Sequence, residues 1–267
     1  ITNCKQSLFE RMYYRLIGMG DTACIATLYR QGRMHPEVSS FANRHFYNGQ
    51  LCPVPLPHQT STLPYNTYDK ASALQALIAT HRTAFINCPL PKQEERFKTN
   101  SHEAQLCAMV VKNIIELYRT NGIPYDAHQT IGIISPFRGQ GALIRNELSL
   151  LDMEEYTQHI SIDTVERYQG SQRDIIIYCT TITSPSQMEL IVEAIDPTSP
   201  MVNQPIDRKL NVALTRARMQ LFVIGIPQVL DTDCNYRALI NELPQYLHPT
   251  AEYCNQSSNN VPKNSGR

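Results

Sequence analysis

The sequence has no apolar run long enough to cross a bilayer, and no basic segment followed by an apolar one at its start. It therefore reads neither as a membrane protein nor as a secreted precursor. It also has no C-x-x-C pair. The eight cysteines (Cys4, Cys24, Cys52, Cys88, Cys107, Cys179, Cys234, Cys254) are scattered, which argues against a zinc site and against a disulfide framework. Several lie inside apolar runs as small hydrophobes, so a reducing, intracellular compartment is expected. Net charge is absent too: 24 Lys plus Arg balance 24 Asp plus Glu. Any grip on a polyanion must then be local, through backbone amides and a few placed side chains. No G-x-x-x-x-G-K-[S/T] occurs, and no apolar strand ends in paired acids. The loop that cradles a triphosphate and the carboxylates that hold its Mg²⁺ are thus missing from this chain. A glycine fingerprint after a strand is missing as well, which counts against a dinucleotide-dependent enzyme. No internal repeat is found.

What remains is a globular composition, 42% apolar and 18% charged over 267 residues, enough for one large α/β domain or a domain with an appendage. The first residue is Ile1 rather than Met, which reads as a piece of a longer protein.

Periodicity supplies the elements. Ser7 and Glu10 form a capping-box pattern ahead of Leu8, Met12 and Leu16, so a helix is expected over Ser7–Leu16. Four prolines (Pro53, Pro55, Pro57, Pro64) make residues 50–68 an excursion that cannot be regular throughout. Ala84–Cys88 reads as a strand. Asn100 caps a helix with Glu103 in its first turn and a stripe of Leu106, Met109, Val110, Ile114 and Leu117, ended by Asn121-Gly122.

Thr130–Ser135 is a β-branched run stopped by Pro136, and Gly141–Leu151 reads as a helix. Strands are also expected at Ile160–Thr164, Asp174–Thr181 and Gln220–Gly225, with a helix over Asp207–Arg218. The last two strands scarcely alternate, as strands buried on both faces of a parallel sheet do. Alternating strands and helices predict a doubly wound, mainly parallel sheet with right-handed crossovers and helices on both faces. Residues 1–250 form the expected domain, and the Asn/Ser-rich residues 251–267 read as a disordered tail.

Four segments carry a resemblance: Gln31-Gly32-Arg33-Met34-His35-Pro36, Ile131–Gln140 (I-G-I-I-S-P-F-R-G-Q), Thr164–Asp174 (T-V-E-R-Y-Q-G-S-Q-R-D) and Leu210–Arg218 (L-N-V-A-L-T-R-A-R). In this order, and on these elements, they resemble the C-terminal RecA-like motor domain of superfamily 1 helicases, in the branch that includes the nonsense-mediated-decay helicase. The resemblance runs from about residue 7 to 230.

It implies an ATP-dependent helicase or translocase that acts on single-stranded DNA or RNA. ATP and Mg²⁺ would be held mainly by an N-terminal RecA-like domain of the same parent protein, and the fragment alone is expected to be inactive. Arg33 and Arg216 would reach the γ-phosphate, since guanidinium stays charged and presents a planar fork of donors. Gln31 would touch the nucleotide or the partner domain. Gly170 would let backbone approach a phosphate, the alternative being a plain turn glycine.

Gln172 stands where the family commonly has a glutamate on the ribose; its amide oxygen still accepts a hydrogen bond but carries no charge. Gly32 stands where tyrosine is usual. Ser135, Pro136, Arg138 and Thr164 would line the nucleic-acid track, the alternative for Ser135 and Thr164 being ordinary strand-end hydrogen bonding. Arg218 reads equally as a salt-bridge residue on a helix face. His35 and Pro36 read as structural, with no metal-ligand partner at useful spacing. Gly32 and Gln172 keep a second reading open, a non-catalytic relic that binds nucleic acid or protein.

Overall fold

The computed structural model describes residues 8–21, 23–66, 72–91, 98–192 and 207–247. The elements are α1 (Leu8–Gly18), β1 (Arg30–Gln31), α2 (Pro36–Phe46), β2 (Cys52–Pro53), α3 (Pro57–Thr60), α4 (Ala73–Thr80), β3 (Thr83–Asn87), α5 (Ser101–Thr120), β4 (Ile131–Ile134), α6 (Arg138–Ser149), α7 (Glu154–Thr157), β5 (Ser161–Asp163) and β6 (Arg173–Cys179). A 3-10 helix (Pro185–Leu190), α8 (Arg208–Leu214), β7 (Ala217–Gly225), α9 (Pro227–Leu230), α10 (Cys234–Glu242) and β8 (Gln245–Leu247) follow.

Six strands form one sheet in the order β5-β4-β6-β7-β3-β8, every neighbouring pair parallel. The helices fall into two packed groups, α4–α5–α6–α7 and α2–α8 with α9–α10. This is the doubly wound α/β architecture that alternating strands and helices predict. Its core is continuous and apolar. Ile131, Ile133, Ile175, Ile176, Ile177, Phe222, Val223 and Ile224 are fully buried, which accounts for the lack of alternation in β6 and β7. No described helix is long and apolar enough to cross a membrane.

Local signals set α5 where expected. Asn100 accepts from the Glu103 N–H as its cap, and Gly122 takes a left-handed φ of +62° just past the C-cap Asn121. The Pro-rich excursion holds only the two-residue β2 and the single-turn α3 among its described residues. The tail at 251–267 and the Ser7 half of the first capping box lie outside the described residues.

Two helix boundaries differ from expectation by three residues or more. α8 stops at Leu214, so Arg216 sits in the turn and Arg218 lies in β7, where it bonds Asp174 at 2.8 Å rather than lying on a helix face. Thr-Arg-Ala-Arg has adequate helix propensity, but pairing with β6 begins at Ala217 opposite Arg173, and ladder pairing outweighs a few tenths of a kcal/mol of propensity. α6 starts three residues earlier than expected, at Arg138, despite Gly139 and Gly141. A Cβ at Gly139 would lie 3.3 Å from Thr99 Cγ2, and one at Gly141 would lie 3.4 Å from Ile162 Cγ2. The fully buried Gln140 exchanges two 2.8 Å hydrogen bonds with the Asn100 backbone, pinning the first turn of α6 to the cap of α5. Tertiary contacts therefore place this helix start.

Candidate functional site

In a parallel sheet all strands share one amino edge and one carboxyl edge, and the motif residues separate between them. At the amino ends of β6 and β7, Arg33, Gln172, Thr215 and Arg216 come together. Arg33 donates through Nε to the Gln172 Oε1 at 3.2 Å and through Nη1 to the Thr215 carbonyl at 3.1 Å. Arg216, only 9% exposed, donates through Nε to the Val212 carbonyl at 3.0 Å. Burial lowers its pKa, and the neighbouring Arg33 charge lowers it further. Among the described residues, no carboxylate forms a salt bridge with either arginine. Two cations side by side without a counter-ion favour an incoming anion, because like charges nearby and partial burial both raise the energy of the bare site.

The Arg33 loop is held from three sides. The His35 N–H donates to the Arg218 carbonyl of β7 at 2.8 Å, which brings residues 31–36 against the strand that follows Arg216. The Gln31 Oε1 accepts from the Arg33 and Met34 N–H groups, and its Nε2 donates to the Met34 carbonyl. Gln31, expected at the nucleotide or the partner domain, thus spends its amide on shaping its own loop. Gln59, buried in α3, donates to the carbonyls of Gln31 and Met34, and the His58 Nε2 lies 3.0 Å from the Arg33 carbonyl. The Pro-rich excursion is therefore the brace of this site. Sequence reading missed that role because nothing local marks a glutamine and a histidine as partners of a loop 25 residues upstream.

Gly170 adopts φ +88° in an exposed turn, and a Cβ there would meet nothing within 4 Å. The backbone conformation by itself favours glycine, and the space beside it is open. The Gln172 oxygen is occupied by Arg33. Gly32 is exposed, and a Cβ there would lie 3.2 Å from Leu56 Cδ1.

Ser135, Pro136, Arg138 and Thr164 lie at the other edge, past the carboxyl ends of β4 and β5. Ser135, Arg138 and Thr164 line a groove of about 220 Å³ together with Arg145 and Arg167, which sequence reading had not singled out. Arg138 is exposed at the first position of α6, where helix-start N–H groups have no intrahelical acceptor. Arg145 donates to the Ile162 carbonyl at 3.4 Å, and Arg167 pairs with Asp163 at 3.4 Å.

The resemblance puts the Ser135 hydroxyl at a phosphate; the structure gives it partners within the protein. Ser135 is 2% exposed, its Oγ lies 3.0 Å from the Thr181 Oγ1, and it accepts from the Phe137 N–H. These bonds are of the ordinary strand-end kind that was the alternative reading. Thr164 is half-buried, with its N–H donating to Asp163. Among the described residues no group of three or more His, Cys, Asp or Glu is placed to hold a metal ion.

A family model described as an AAA domain matches residues 4–228 of the chain. The chain is 31% identical to a regulator of nonsense transcripts 1 from Dictyostelium discoideum, over 88% of this chain and 16% of that protein. It is 29% identical to the ATP-dependent helicase upf1 of Schizosaccharomyces pombe, over 86% of this chain and 22% of that protein, and 27% identical to the helicase SEN1 of Saccharomyces cerevisiae, over 79% of this chain and 9% of that protein. The chain thus spans less than a quarter of each of these relatives. With its parallel sheet and four motifs in order, it belongs to the AAA-domain family as a superfamily 1 helicase C-terminal domain of the nonsense-transcript-regulator branch.

Proposed function

We propose that this domain is the second half of an ATP-driven motor on single-stranded nucleic acid. In this reading Arg33 and Arg216 receive the γ-phosphate of a nucleotide held on an N-terminal RecA-like domain. The observation that carries it is the pair of guanidinium groups brought together from positions 33 and 216 without a carboxylate partner among the described residues. Phosphoryl transfer is accelerated mainly by positioning and by neutralising charge on the phosphoryl oxygens, and two planar cations supply both. Magnesium bound with the nucleotide contributes further charge neutralisation, held by the domain that carries the phosphate cradle.

Loss of the γ-phosphate removes the anion that Arg33 and Arg216 share. With that bridging anion gone, the grip between the two domains weakens and they can part, which couples hydrolysis to movement. The Gln172 amide aims Arg33 without neutralising it and sits where a ribose edge would approach. At the opposite edge, Arg138, Thr164 and the helix-start N–H groups of α6 offer a sequence-independent track for phosphates, extended by Arg145 and Arg167.

The test joins this chain to its N-terminal motor domain and follows ATP turnover in the presence of single strands. Arg33→Ala and Arg216→Ala should each lower turnover on the order of 10³-fold while leaving nucleotide-free strand binding intact. Full turnover by both variants would refute the γ-phosphate assignment. The relic reading has Gly32 and Gln172 in its favour, and it predicts strand binding that ATP does not alter.

A further inference from the structure

Glu103 is a buried carboxylate that the arginine site does not use. It lies in the first turn of α5 with no exposed surface, yet its oxygens serve the far end of β6. Its Oε2 accepts from the Thr181 N–H at 2.8 Å, and its Oε1 accepts from the Thr180 hydroxyl at 3.1 Å and from the Asn100 amide at 3.3 Å. Thr181 takes a left-handed φ of +67°. That conformation is an outlier for a β-branched residue, because Cβ crowds the carbonyl, and it persists only where the surroundings impose it.

From Thr181 a chain of hydrogen bonds runs outward with consistent polarity. The Phe137 N–H donates to the Ser135 Oγ at 3.4 Å, and the Ser135 hydroxyl meets the Thr181 Oγ1 at 3.0 Å. The Thr181 hydroxyl in turn donates to the Cys179 carbonyl at 3.4 Å. Phe137 is the N-cap of α6, the residue before Arg138. The carboxylate is therefore three hydrogen bonds away from the start of the helix whose N–H groups and arginine face the groove.

We infer that Glu103 is a positioning residue for the nucleic-acid track: by holding Thr181 in its left-handed conformation it sets, through Ser135, the angle at which α6 presents its first turn to phosphate. This rests on the strand-binding reading above. Ser135 then acts as the middle of a brace instead of touching the strand, which explains why its hydroxyl is buried. The proposal also separates the two edges of the sheet, since the Thr180 and Thr181 bonds of Glu103 lie past the carboxyl end of β6.

The experiment uses the chain joined to its N-terminal motor domain, with fluorescent oligo-dT and oligo-U as strand probes and a fluorescent non-hydrolysable ATP analogue as nucleotide probe. Glu103→Gln keeps the shape but turns an amide N–H toward donors. It should weaken strand binding by about tenfold while changing analogue binding less than about twofold. Adding Thr181→Gly, which accepts a positive φ but lacks the hydroxyl that meets Ser135, should not recover the strand affinity. Ser135→Ala should produce a loss of the same kind, and combined with Glu103→Gln it should add little, as expected for members of one relay.

Equal losses for strand and analogue would mark Glu103 as a general fold stabiliser and overturn the inference. So would unchanged strand affinity in Glu103→Gln, or, where that variant does not fold, in Ser135→Ala. Arg138→Ala and Thr164→Ala serve as the control on the underlying reading. If they bind strands normally the track itself is misplaced, whereas if they lose affinity and the Glu103 and Ser135 variants do not, only the relay fails.

Discussion

At the amino ends of β6 and β7 the domain leaves two guanidinium groups without a carboxylate among the described residues, whereas at the carboxyl ends of β4 and β6 it buries a carboxylate and satisfies it from within. The first arrangement leaves charge without a salt-bridge partner among the described residues. The second spends charge on backbone geometry, and the groups that face solvent there are arginines and helix-start amides. A chain with zero formal charge still gathers two guanidinium groups at one edge of its sheet and three arginines around a groove at the other.

The comparison can be broken most sharply through the brace of the Arg33 loop. Gln59→Ala removes two hydrogen bonds to the carbonyls of Gln31 and Met34 without touching either arginine. Turnover by the joined motor should fall by up to about 10²-fold through misplacement of Arg33, and strand affinity should hold. Normal turnover would show that the loop keeps its shape without α3.

A smaller effect is expected from Gln172→Glu, which sets a carboxylate beside the Arg33 Nε. Partly neutralising that cation should weaken capture of a non-hydrolysable ATP analogue by about fivefold, the size of one exposed ion pair near 1 kcal/mol. Tighter capture would mean that a ribose contact regained outweighs the charge lost.

At the other edge, Arg138→Ala should lower the slope of log affinity against log salt by about 0.7, uniformly across single-strand sequences. A change confined to one sequence would point to base readout instead.

The smallest effect concerns His35, whose pKa is lowered by burial and, next, by the Arg82 charge, with Glu37 opposing and His58 nearby. Its Nδ1 accepts from the Glu37 N–H and so must be unprotonated. A base whose folded pKa lies below its unfolded value contributes stability that is complete above about pH 6.5 and is lost as pH falls toward the folded value. The thermal midpoint should therefore drop between pH 7 and 5, and the drop should shrink in His35→Asn, in which Oδ1 replaces the ring nitrogen as helix cap. An unchanged pH dependence in that variant would assign the effect to other groups.

Much of the scaffold was legible because it depends on local periodicity. The unbroken apolar runs of β6 and β7, the Asn100 cap and the Asn121-Gly122 stop are each written within a few residues, and the sheet places them accordingly. The four motifs likewise pointed to Arg33, Gln172 and Arg216 as a group. What sequence reading misplaced has a common cause. The end of α8 and the start of α6 follow from strand register and from the Asn100–Gln140 clasp, both contacts between distant segments. The internal partner of the Ser135 hydroxyl, Thr181, is likewise 46 residues away, and nothing near Ser135 announces it.

Chain order and side-chain type alone were enough to specify a parallel α/β sheet, because burial pattern acts over short stretches. Which polar groups stay available, and which are consumed as internal braces, was settled only when Glu103, Gln59 and Thr181 met residues far away in sequence. Hydrogen-bond satisfaction in a buried site is a property of the assembled neighbours and of no single segment.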